Sequence, residues 1–223
     1  MKDRFEKLLE LNSILMDENS KKYIENYVEQ LLTLNKKINL ISRKDEENLF
    51  ERHIIPCLIF SILFKDFEGN VLDIGTGGGL PGIPFAIINQ KSRLTLIDSI
   101  LKKINAVNQI VQIIGLDNVE TIWTRAEDKD FIKKYSNKFD LVISRATADL
   151  ETLIKYSNPL FKEKNSKLAV LKGGEKLEEE IIKAKRRFNY IAIHKIPLIY
   201  LPENPNNINQ KFAIIVERIN GRK

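Results

Sequence analysis

The sequence predicts an α/β protein: a doubly wound, mostly parallel sheet with helices on both faces, preceded by a helical N-terminal extension. Three features carry that prediction. From about residue 70 onward, short β-branched runs alternate with amphipathic stretches, as repeated strand–helix units require. Residues 71–84, VLDIGTGGGLPGIP, pass from an apolar strand into four glycines within five residues and then into a helix start. The first 60 residues, by contrast, have no glycine and no proline before Pro56, and they place Phe5, Leu8, Leu9, Tyr23, Ile24, Tyr27, Val28, Leu31 and Leu32 at helical spacing. The predicted division is a helical extension over 1–68 and an α/β domain over 69–223.

The elements follow in order. Strands are expected over 71–74, 94–97, 119–123, 139–143 and 167–171, and helices over 99–114, 128–135 and 149–156. Residues 175–188 form a charged helix, and apolar runs at 190–196 and 212–216 flank the Pro/Asn-rich loop PENPNNINQ. No internal repeat or low-complexity segment interrupts the pattern.

Composition narrows the class. With 223 residues, 43% hydrophobic and 30% charged, the chain can bury a sizeable core, which excludes collagen-like, mucin-like and disordered readings. A single cysteine, Cys57, excludes an internal disulfide and a multi-cysteine zinc site, so no metal site is expected. The start MKDRFEKLLELNS has no apolar signal-type run, and the run 54–64 is broken by Pro56 and too short for a bilayer; a cytoplasmic, reducing setting is expected. The formal net charge is +6 and the pI near 9.2. Residues 1–60 are close to neutral, with 10 basic and 11 acidic side chains, so the basic excess lies in the α/β part and hints at a polyanionic partner.

Glycines after a strand let the backbone turn tightly and let a ligand approach it, and the helix that follows offers unpaired N–H donors. A nucleotide-type ligand fits this loop. Gly77 to Gly82 also matches the dinucleotide pattern G-x-G-x-x-G, which keeps nicotinamide and flavin enzymes in view. The register opposes them, because Gly75 and Thr76 precede that match and Asp73 sits inside the strand end. The pattern D-x-G-x-G-x-G, formed by Asp73, Gly75, Gly77 and Gly79, resembles instead the first motif of S-adenosylmethionine-dependent methyltransferases. Asp98 ends the next strand, 25 residues after Asp73, where a carboxylate can accept both ribose hydroxyls. The third strand runs into WTRAED and brings Ala126 and Glu127 to the same crevice.

Taken together, these residues resemble the bacterial methyltransferases that modify guanine N7 in small-subunit (16S) ribosomal RNA, the glucose-inhibited division protein B family. The resemblance covers roughly residues 36–172 and rests on NLISRKDEENLFERHI, GTGGGLPGIP, LIDSILKKI, TRAED, FDLVISRA and VLKGG. It implies a Rossmann-like class I methyltransferase fold, S-adenosylmethionine as cofactor, and 16S rRNA, free or in the small subunit, as partner of a monomeric enzyme. It also implies that Gly75, Leu80, Ala126, Glu127 and Arg145 occupy cofactor-binding positions, with Asp73, Gly77, Gly79 and Asp98 at the matching loop and ribose positions. Two departures stand out: Pro56 and Cys57 replace the family's usual Asp-Ser pair, and Ala106 and Val107 replace its Phe-Leu.

The chemistry accords with this. Guanine N7 has a free lone pair and no proton, so its methylation needs positioning and no general base. Exocyclic-amine enzymes place an Asn/Asp-Pro-Pro-aromatic motif where this chain reads Ser144, Arg145, Ala146, and the cytosine C5 enzymes need a thiolate that Cys57, upstream of the loop, does not supply. Arg125, Arg145 and Lys172, each near a strand's C-terminal end, are the candidate catalytic residues, expected to hold phosphates or O6 of the target guanine. His53 and His194 read as packed structural residues, Cys57 as a buried hydrophobe, and Lys183, Lys185, Arg186 and Arg187 as a solvated helix face. A methyltransferase of small molecules and a non-catalytic RNA-binding assembly module are the competing readings.

Overall fold

The structure, a computed structural model, describes residues 2–145, 147–162, 165–203 and 210–218. Ala146 and most of the PENPNNINQ loop lie outside the described residues. Five elements precede the sheet among the described residues: α1 (Lys2–Leu11), α2 (Glu18–Asn35), a 3-10 turn (Arg43–Asp45), a π-helical turn (Phe50–Ile54) and α3 (Ile55–Ile62). The α/β part then runs β1 (Asn70–Ile74), α4 (Gly82–Ile88), β2 (Arg93–Asp98), α5 (Leu101–Ile114), β3 (Val119–Trp123), α6 (Lys129–Tyr135) and β4 (Leu141–Arg145). It closes with α7 (Leu150–Ser157), β5 (Lys167–Lys172), α8 (Leu177–Arg187), β6 (Ile191–Leu198) and β7 (Lys211–Arg218).

The strands form one sheet in the order β3-β2-β1-β4-β5-β7-β6, parallel from β3 to β5, with β7 antiparallel to both of its neighbours. Strand alternation builds two cores. Val71, Leu94, Leu96, Leu141 and Ile143 point to one face, whereas Leu72, Ile74, Ile97, Val142 and Val170 point to the other, under α6, α7 and α8. The expected strand at 139–143 is shifted: Phe139 makes only an isolated bridge to Phe161, and the paired strand starts at Leu141. The cause is Asp140, whose carboxylate turns to the Asn70 amide (2.8 Å) and the Lys162 ammonium (2.6 Å).

Local chemistry sets the helix starts. Asp17, Asp128 and Asp149 each cap a helix by accepting a backbone N–H three residues on. Helix α8 begins with Glu178, Glu179 and Glu180 and ends with Lys185, Arg186 and Arg187, a charge order that suits the helix dipole. Pro56 lies in the first turn of α3, where its missing N–H is tolerated, and the turn before it widens so that the Ile55 N–H bonds Phe50 O.

The extension has no core of its own. Phe5, Ile24, Tyr27, Leu31 and Leu58 share one buried cluster with Val71, Leu94 and Leu141 of the sheet. Helix α2 packs on α4 and α5, and α3 packs on α4. The chain reverses strand order between β2 and β4 on either side of β1, which opens a crevice at the strands' C-terminal ends. No helix among the described residues is long and apolar enough to cross a membrane.

Candidate active site

That crevice is a cleft of about 680 Å³. Its floor is the loop after β1. The amides of Gly75 and Thr76 both bond Ile97 O, at 2.9 and 3.0 Å, which ties the loop to the end of β2. Gly75 has φ +72°, and a Cβ there would collide with the Thr147 side chain. Gly77 also lines the cleft, and a Cβ on it meets no protein atom within 4 Å, so the space it leaves belongs to the cleft.

Asp98 is the carboxylate of this floor. It is 8% exposed and lines the cleft; Oδ2 accepts the Gly77 amide at 3.0 Å and Oδ1 accepts the Ile100 amide at 2.9 Å. Each oxygen retains a second lone-pair direction for a ligand hydroxyl. Leu80, Ala126 and Glu127 line the cleft as well, as does Arg145 at the end of β4.

Asp73 and Gly79 are placed differently. The Asp73 side chain lies under the loop, fully buried and away from the cleft lining, with Oδ2 accepting the Gly82 amide at 3.1 Å. Burial pushes its pKa up to about 7, and the Asp98 charge adds to this, against the pull of Thr76, the Gly82 amide and Arg145. Gly79 faces Ile83 and Tyr27 behind the loop.

The three expected cations are separated. Arg125 stands on the outer wall, its side chain 72% exposed and 3.9 Å from Glu127. Arg145 borders both the cleft and a smaller neighbouring pocket. Lys172 lines only that second pocket and is ion-paired with Glu180.

His53, expected as a packed structural residue, is buried and also stands between the two cavities. Its Nδ1 meets the Arg145 guanidinium, and its Nε2 stands 3.3 Å from Asp45 Oδ2. Burial and then the Arg145 charge lower its pKa to about 4, against Asp45, so the ring is neutral near pH 7 and Nδ1 accepts from Arg145. Cys57, buried as expected, turns its sulfur to the other Arg145 nitrogen at 3.5 Å. His194 is exposed on β6 rather than packed, and Lys183, Lys185, Arg186 and Arg187 face outward on α8.

Sequence reasoning missed what the extension contributes. Leu40, Ile41 and Ser42 form part of the cleft wall. The buried Tyr27 hydroxyl donates to Gly78 O at 2.9 Å, and burial keeps its pKa well above the usual phenol value, so the donor proton stays. Its helical spacing gave only a core assignment. Tyr27→Phe leaves a buried carbonyl unpaired and is expected to cost about 1–3 kcal/mol in a urea titration. An unchanged midpoint would show that the bond does not hold the loop.

A family model described as rRNA small subunit methyltransferase G matches residues 20–203. The proteins named ribosomal RNA small subunit methyltransferase G from Brachyspira hyodysenteriae and Oenococcus oeni are among the relatives. The first is 40% identical over 189 residues, covering 83% of this chain and 88% of the relative. The second is 30% identical over 223 residues, covering 99% and 90%. Among solved structures, an SAM dependent methyltransferase from Aquifex aeolicus superposes with a TM-score of 0.57 at 16% identity, covering 85% of this chain and 97% of that one. The precorrin-6y C5,15-methyltransferase of Geobacter metallireducens gives 0.55 at 10% identity, covering 81% and 91%. These two likenesses establish the class I methyltransferase fold alone. With the family model matching residues 20–203, most of this chain, and relatives at this level of identity, the chain belongs to the rRNA small subunit methyltransferase G family.

Proposed function

We propose that this chain transfers the methyl group of S-adenosylmethionine to N7 of a guanine in 16S ribosomal RNA, free or in the small subunit. Family membership makes the chain an rRNA methyltransferase. The observation that carries the finer reading is the cleft itself. A glycine loop and the Asp98 carboxylate form its floor, and Arg145 stands at its junction with a cationic pocket.

The residues fit the cofactor. Asp98 would accept the ribose hydroxyls, Ala126 and Glu127 would border the adenine, and Gly75, Gly77 and Leu80 would lie on the methionine side. Asp73 and Gly79 act through the loop they support. When bound, S-adenosylmethionine supplies a methyl group on a positively charged sulfur. The protein's part is to bring the N7 lone pair in line with that methyl and to exclude water, a gain that comes from positioning. No proton leaves N7, which suits a site whose imidazole is already engaged with Arg145. Arg145 holds the acceptor through O6 or phosphate, Lys172 assists from the neighbouring pocket, and Arg125 contacts RNA at the rim.

Asp98→Ala removes a charged acceptor of two hydroxyls, worth roughly 1.5–3 kcal/mol, so S-adenosylmethionine affinity should fall about 10- to 100-fold in calorimetry. Unchanged affinity would put the ribose elsewhere. With labelled cofactor, the product label should become acid-soluble after RNase; label that ignores RNase would indicate a small-molecule acceptor.

A further inference from the structure

The pocket beyond Arg145 measures about 260 Å³ and is lined by four cations, Arg52, Arg145, Lys172 and Lys211, and by one carboxylate, Asp45. Two of them have carboxylate partners: Arg52 bonds Asp45 at 2.8 Å and Lys172 bonds Glu180. Among the described residues, Arg145 makes side-chain bonds to a neutral imidazole and a thiol and no ion pair. Lys211, half-buried at the start of β7, has no carboxylate within ion-pair distance among the described residues.

The Lys211 stem and the backbone before it run close over Gly173. A Cβ there would lie 2.5 Å from Gln210 O and 3.2 Å from Lys211 Cδ, so a side chain at 173 would displace the entry of β7 and the lysine with it. Burial and then the Arg145 charge lower the Lys211 pKa, against Asp45. Asp45 is engaged by Arg52 and His53 and makes no ion pair with either Arg145 or Lys211 among the described residues, so these two like charges are relieved by a further anion, and a phosphodiester, with several acceptor oxygens, satisfies both.

We propose that the space between Arg145 and Lys211 receives a phosphodiester group of the acceptor RNA, with Lys211 as its principal ligand. The inference rests on the RNA-methyltransferase reading. Arg145 and His53 border both cavities, so a nucleotide whose base enters the cleft carries its backbone past this pocket. The other anion available is the carboxylate of the cofactor's methionine part, and the test separates the two.

Wild type, Lys211→Gln, Lys211→Arg and Gly173→Ala are compared in filter binding to unmethylated 16S RNA from about 50 to 200 mM salt, where each phosphate contact adds roughly 0.7–0.9 to the slope of log K against log salt. Lys211→Gln should lose about one contact's slope and several-fold affinity. Lys211→Arg should keep the slope, Gly173→Ala should resemble Lys211→Gln, and cofactor affinity should stay at the wild-type value. An unchanged slope in Lys211→Gln overturns the assignment. Loss of cofactor affinity with the slope intact also overturns it and gives the pocket to the methionine carboxylate. A wild type that binds cofactor but no RNA would remove the functional reading as well.

Discussion

Gly75→Ala is expected to lower kcat/KM by on the order of 100-fold, the usual consequence of displacing a reactant by about 1 Å. Two effects combine. At φ +72° a side chain costs about 1–2 kcal/mol of backbone strain, and the new Cβ also runs into Thr147. Thr147 is part of the cleft wall and is held by the Ser144 hydroxyl at 2.7 Å, so the collision is passed to the floor of the site. Gly115→Ala is the control. Gly115 has φ +74°, and its Cβ would meet nothing within 4 Å at the end of α5. In a denaturant titration Gly115→Ala should lose only the share of stability that the strain accounts for, Gly75→Ala that share and more, and only Gly75→Ala should lose cofactor binding in calorimetry. Equal cofactor affinity in the two would show that the loop tolerates a side chain at Gly75.

Asp73→Asn should change how stability depends on pH. The native carboxyl titrates at about 7 against an ordinary value of 3.8, so the folded state binds more protons than the unfolded state between these limits. Stability contributed by this group is complete below about 4 and falls as pH rises toward 7. Asparagine does not titrate, and its carbonyl can still accept the Gly82 amide. The variant should therefore gain on wild type as pH rises, by roughly 4 kcal/mol over the whole interval, of which about 2–3 kcal/mol falls between pH 5 and pH 8. His53 acts in the opposite sense between about 4 and 6.5, where the unfolded state binds the extra proton, but it does so in both proteins and cancels in the difference. Urea titrations of both proteins from pH 5 to pH 8, at closely spaced values, measure this; parallel curves would mean that Asp73 is ionised throughout.

Local signals made much of this structure legible. The sheet could be read because β-branched runs and glycine breaks are short-range features, and the loop after β1 could be read because Gly75, Gly77 and Asp98 sit at fixed offsets from strand ends. Asp73 shows where such reading stops. Its place in the motif marks it as a site acid, yet the turn directs its carboxylate to the Gly82 amide beneath the loop. The extension was less legible still. Tyr27, Asp45 and His53 reach the site only through packing across the chain, and helical spacing does not distinguish a tyrosine that pins a loop from one that fills a core. Lys211 reads as one charge among many at a strand start until Gly173 and Arg145 are beside it.

On the reading proposed above, this cleft methylates N7 of a guanine in 16S RNA. The direct test incubates the protein and labelled S-adenosylmethionine with 16S RNA, free and in small subunits, from cells lacking the activity, then maps N7-methylguanine by chemical strand cleavage. Cleavage at one guanine is expected, with an initial rate of methylation on the order of 100-fold lower in Gly75→Ala. Label in no form of the RNA, with cofactor binding intact, would contradict it.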